Sequence, residues 1–96
     1  MNDFFAGLGQ RWADLAAKRG ATITAPTLPP RVADEILQLA RVVAHSQERS
    51  WAPLASFTAG VAAERFRVAK GASDDDIASY LREAREALER EAAGPA

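Results

Sequence analysis

Apolar side chains fall at Val32, Ile36, Leu39, Ala40 and Val43, spacings of three and four that place them on one stripe of a helix and predict a buried face. Leu37 and Ala44 widen that stripe. Past a polar joint the pattern resumes: Leu54, Phe57, Val61 and Val68 form one apolar line, and Ala55, Ala59, Ala62, Phe66 and Ala69 form a neighbouring one. A helix apolar over so much of its girth is expected at the centre of the fold, with Phe57 in the core. Ser56 and Gly60, four residues apart, are expected to admit another helix closely. The joint from His45 to Pro53 is short enough to turn the second run antiparallel to the first. Pro53 has no backbone N–H and is tolerated in a first helical turn, so a helix starts there, with Ser50 or Ala52 as its N-cap.

Upstream, Asn2 or Asp3 can cap a first helix in which Phe5, Leu8, Trp12, Leu15 and Ala16 share a face. Gly7 and Gly9 lower its intrinsic stability, and Gly20 stops it after Lys18 and Arg19, cations suited to the negative end of the helix dipole. Residues 20–30 hold three prolines and one charge-free run, which predicts an extended connector with Ile23 and Leu28 tucked onto the core. Downstream, Lys70-Gly71 closes the third helix. Ser73 caps a fourth whose first turn carries Asp74, Asp75 and Asp76 and whose apolar line is Ile77, Tyr80, Leu81, Ala84 and Leu88. Glu86 and Arg90 are spaced as an i,i+4 pair. These signals predict an all-α, single-domain four-helix bundle with a central antiparallel hairpin. Its helices are expected at about 3–19, 29–48, 51–70 and 73–92, with a frayed tail at 93–96.

Composition changes this picture little. Alanine occurs 22 times, which favours helices that form readily and pack close, and no segment alternates as a half-buried strand must. A net charge of −1, with acids and bases interspersed, provides no positive field for nucleic acid or an anionic membrane surface. No apolar stretch approaches the roughly 20 residues needed to span a bilayer. The absence of cysteine removes disulfide and thiolate chemistry and suits a reducing cytosol, so a cytoplasmic, unprocessed protein is expected.

Candidate chemistry concentrates in the joint. His45 has Glu48 at i+3 and Arg49 at i+4, which a continuous helix would bring to one side. The plainer account is an imidazole interacting with helix-end carbonyls. No serine or cysteine nucleophile and no second metal ligand stands at a suitable spacing, so neither a catalytic nor a metal site is expected. The three aspartates diverge by about 100° per residue and are explained by helix capping rather than by a cation. Trp51 is expected to lie over the end of the core, or else to anchor a partner. A DNA-reading helix-turn-helix is disfavoured, because Trp51 to Thr58 has no side chain suited to base edges.

The run Ile36 to Gly60, with Leu39-Ala40-Arg41-Val42-Val43-Ala44-His45 followed by Glu48-Arg49, Ala52-Pro53-Leu54, Phe57 and Gly60, resembles a small bacterial helical domain family of unknown function. Some members of that family are fused to a molybdenum-cofactor guanylyltransferase. The resemblance covers about a quarter of the chain strongly and Phe5 to Leu15 loosely. It implies an accessory link to molybdenum-cofactor nucleotide transfer and marks Arg41, His45, Glu48, Arg49 and Pro53 as the matching positions. The function expected is a non-enzymatic accessory or protein-interaction module without a cofactor, working on a protein partner or as a homo-oligomer. The alternative is a small-ligand or nucleotide-binding domain using the joint His45–Pro53. In either case Arg41, His45, Glu48, Arg49 and Trp51 are the candidates for ligand or partner binding.

Overall fold

The computed structural model describes residues 3–94. Helix α1 spans Asp3–Lys18, α2 Pro30–Ser46, α3 Ala52–Lys70 and α4 Asp74–Ala93, with a 3₁₀ turn at Arg49–Trp51 leading into α3. No strand occurs among the described residues, so the protein is all-α, and the expected helix boundaries hold to within about two residues. Asp3 already lies inside α1; Asn2, the other candidate cap, lies outside the described residues, as do positions 95–96 of the expected frayed tail. Ala93 is still helical, and Gly94 closes α4 with φ 78°.

The chain falls into two compact units, one up to Pro30 and one from Arg31 onward. In the first, α1 closes through Gly20, whose φ of 84° lets the Ala21 N–H donate back to the Ala16 carbonyl at 2.9 Å. The connector then returns over α1. A side-chain carbon built on Gly9 would collide with the Pro26 carbonyl oxygen, so this glycine is buried under connector backbone. Ile23 is exposed rather than tucked in, and Leu28 is half-buried.

In the second unit three helices share one core. Leu81 of α4 is the most deeply buried large side chain, 1% exposed, and clusters with Ile77 and with Ala63 of α3. Val32 and Ile36 of α2, with Ala59 and Phe66 of α3 and Tyr80 of α4, pack around it. The Phe66 and Tyr80 rings stack with centroids 4.7 Å apart. Helices α3 and α4 come closest in backbone, joined by a tight turn in which Gly71 (φ 64°) ends α3 and the Ala72 N–H donates to the Arg67 carbonyl at 3.1 Å. Ser73 and Asp76 then form a reciprocal cap: the Asp76 N–H donates to Ser73 Oγ at 3.2 Å, and the Ser73 N–H donates to Asp76 Oδ2 at 3.1 Å.

The structure corrects the reading of α3. Ala55, Ala59, Ala62, Ala63 and Phe66 turn inward, whereas Leu54, Phe57 and Val68 are 64%, 73% and 70% exposed. Only one of the two apolar lines can face α4, and the alanine line wins because small side chains let the two backbones approach. No helix packs at Gly60, where nothing lies within 4 Å of the position a side-chain carbon would take. Trp51 is 47% exposed and does not seal the end of the core.

Candidate functional site

The polar joint is built where α2 runs out. Ser46 donates its hydroxyl to the Val42 carbonyl at 2.7 Å and the Gln47 N–H donates to the Val43 carbonyl at 2.9 Å, which continues the helical bonding by one residue. Glu48 then takes an extended conformation (φ −88°, ψ 138°), and its carbonyl accepts from the Trp51 N–H at 2.9 Å to start the 3₁₀ turn. The break at residues 47–48 takes Glu48 and Arg49 out of the helical register of His45. The His45–Glu48–Arg49 cluster that a continuous helix would allow is therefore not assembled: the His45 imidazole, Glu48 and Arg49 are exposed, with no hydrogen bond or ion pair joining them among the described residues.

The structure does bring Arg41 and His45 together. One turn apart on α2, they line an open groove of about 460 Å³ with Val42, Ser46 and, from α4, Glu89, Ala92 and Ala93. The carboxylate of this groove is already engaged, since Arg85 Nη1 donates to Glu89 at 3.0 Å. Two helices end here, and each C-terminus carries about half a negative charge. The Arg41 guanidinium therefore offsets a field set against anions rather than creating one that attracts them.

Arg85 is the polar feature that the sequence hides. Its side chain is 13% exposed and reaches across to α2, placing Nε and Nη2 each 3.3 Å from Glu35 Oε1 while also holding Glu89. Removal from water works against the guanidinium charge, and the hydrogen bonds to Glu35 and Glu89 more than restore it, so its pKa is raised further. Near the other end of α2, Arg31 pairs with Asp75 at 2.6 Å. Both pairs clamp α2 to α4, and with partners 50 and 44 residues apart no local spacing could reveal them. Glu86 and Arg90, spaced for a pair, form none among the described residues. The three aspartates divide their work: Asp75 binds Arg31, Asp76 closes the cap, and Asp74 lies in the first turn.

An unusual apolar surface lies on α3. From Trp51 to Ala63 the chain carries no charged residue, yet Trp51, Leu54 and Phe57 point to solvent. The polar groups of this stretch are turned inward on the helix itself. Ser56 donates to the Ala52 carbonyl at 2.9 Å and Thr58 to the Ala55 carbonyl at 3.0 Å, so neither hydroxyl needs to reach outward for an acceptor. Beside this face an apolar cleft of about 360 Å³ opens between α3 and α4, with Ala55, Ala59 and Ala62 on the α3 side, Ala84 and Leu88 on the α4 side, and Leu39 and Leu81 among its lining. The outward line of α3 has the periodicity of a core stripe, so spacing alone does not distinguish it from a buried face.

These features describe a small helical module with an apolar helix face open to solvent. Among the described residues there is no group of histidine, cysteine, aspartate or glutamate side chains able to hold a metal ion, and no helix long and apolar enough to cross a membrane. The chain belongs to the family described as Domain of unknown function (DUF6457), whose model matches residues 7–96. No curated protein and no solved structure matches it.

Proposed function

We propose that the protein is a non-enzymatic protein-interaction module whose working surface is the outward face of α3. The observation that carries this reading is Phe57, 73% exposed beside Leu54 on a stretch without a charged residue. Large apolar side chains contribute to stability only when removed from water, so this face adds nothing to the isolated monomer and fits burial against another protein. The resemblance to domains that accompany a molybdenum-cofactor guanylyltransferase in bacteria makes that enzyme a first partner to try, and the accessory link rests on the resemblance alone. Cytoplasmic residence is part of the same proposal.

The small-ligand reading at His45–Pro53 has less support, because its charged residues are dispersed and the groove at Arg41 and His45 is framed by two helix C-termini. The test is affinity capture with the intact chain and with Leu54→Glu and Phe57→Glu, followed by mass spectrometry. Loss of specific partners in both variants, with unchanged far-ultraviolet circular dichroism, supports the module. Retention of every partner in both would remove it.

A further inference from the structure

We propose that the α3 face is a two-fold interface with a second copy of this chain, the two α3 helices crossing antiparallel at Phe57. This rests on the interaction-module reading and specifies its partner. A two-fold axis at Phe57 pairs each position with the one equally far on the other side of residue 57. Leu54 then meets Gly60 of the other copy, and Pro53 meets Val61. Gly60 is a bare notch with nothing within 4 Å of its missing side chain, so a leucine can seat there and the helices can approach closely. Phe57 packs on its own counterpart at the axis.

Charge agrees with the same register. Arg49 stands in the 3₁₀ turn that leads into α3 and Glu64 seven residues past Phe57 on α3, so they lie roughly 13 Å and roughly 10 Å from the axis, on opposite sides. Antiparallel crossing brings Arg49 of each copy to Glu64 of the other, twice over, at the two rims of an otherwise uncharged patch. Arg49 makes no ion pair among the described residues, and Glu64, which accepts from Arg67 at 2.9 and 2.5 Å, remains exposed. Trp51, Leu54 and Phe57 are 47%, 64% and 73% exposed, and with their neighbours they present roughly 500 Å² per copy. Pairing two copies buries on the order of 1,000 Å², the lower bound of a specific interface. A weak, reversible dimer is expected from an interface at this small end of the range.

The chain contains no cysteine, which permits a geometric test on the full-length protein. Sedimentation of the unmodified chain from micromolar to millimolar concentration should show a monomer–dimer equilibrium. Phe57→Glu should weaken it at least tenfold. Arg49→Glu and Glu64→Arg should each weaken it, and the double variant should recover most of the loss. Under mild oxidation Phe57→Cys should form a disulfide-linked dimer. Val68→Cys should not, because eleven residues from the axis on each side separate the two sulfurs by about 33 Å along the helices. A monomer at every concentration would overturn the proposal, as would equal cross-linking at both positions or no recovery in the double variant. A monomer that captures a different protein through Phe57 would overturn the second-copy assignment while the module reading stood. A monomer whose captured partners ignore Phe57→Glu would remove both.

Discussion

Replacement of Gly9 by alanine separates two physical effects that normally act together. Alanine is favoured over glycine within a helix by about 0.8–1 kcal/mol, and Gly7 and Gly9 both lie inside α1. At Gly7 nothing lies within 4 Å of the new methyl group, so Gly7→Ala should stabilise α1 by close to that amount. At Gly9 the methyl group would overlap the Pro26 carbonyl oxygen, a backbone atom that cannot rotate away. Either the connector lifts off or α1 shifts, and overpacking of this kind costs about 1–3 kcal/mol. Because both variants gain the same helix propensity, their difference isolates the overpacking cost. Gly9→Ala should therefore be about 1–3 kcal/mol less stable than Gly7→Ala. Amide hydrogen exchange across residues 5–28 would measure it locally, with faster exchange in the connector of Gly9→Ala as the second sign. Equal protection in the two variants would mean that the connector does not rest on Gly9 in solution.

Three further outcomes follow from the second unit. Leu81→Ala should cost about 2–5 kcal/mol in denaturant melts, whereas Phe57→Ala, measured on the monomer at high dilution, should change stability by no more than about 0.5 kcal/mol; a large loss at Phe57 would place that ring in the core. Ser73→Ala should cost about 0.5–2 kcal/mol through loss of the cap on α4, with the Asp76 amide exchanging faster; an unchanged melt would make the cap dispensable. The hydrogen bond from Arg67 holds the Glu64 carboxyl below its ordinary value of 4.5, so its stabilising contribution is complete above that value and is lost as pH falls through the lowered folded pKa. The pair is exposed, so the effect on stability is small and fades in salt. NMR titration of Glu64 should show a midpoint below that of an ordinary glutamate, returning upward in Arg67→Gln; coincident midpoints would show that the bond does not persist in solution.

Four helices and their ends were legible in the sequence because their signals are local. Ser73 with Asp76, Gly20 after Lys18-Arg19, and Gly71 after Lys70 each act within one turn, and each lies where its chemistry requires. What local spacing could not supply was direction. The periodicity of α3 marks two apolar lines, and whether Phe57 or Phe66 turns inward depends on α4, whose Tyr80 offers a stacking partner to Phe66. The joint misled for a related reason. Counting His45, Glu48 and Arg49 as i, i+3 and i+4 assumes a helix through residue 49, and the extended Glu48 backbone interrupts it. The Glu35–Arg85 clamp was invisible because its partners meet only after α2 and α4 have packed.

The same ambiguity in α3 explains why its outward face matters. A monomeric module of this size gains nothing from Leu54 and Phe57 in water, and a lysine or glutamate at either position would not weaken the packed α3 alanines. A charge-free stretch from Trp51 to Ala63 therefore makes physical sense when something covers it, and the proposed second copy would cover it with the chain's own Gly60 notch and rim charges. Covering it should also stabilise the fold. A partner that binds only the folded state adds on the order of 2–3 kcal/mol when present at about a hundredfold over its dissociation constant. A small three-helix core with a modest margin would draw a substantial part of its stability from that term. The melting temperature should accordingly rise with protein concentration in the unmodified chain and rise less in Phe57→Glu. Differential scanning calorimetry at about 10 and about 500 µM, a roughly fiftyfold range in protein concentration, would measure both. Equal concentration dependence in the two proteins would show that association, if it occurs, leaves the α3 face uncovered.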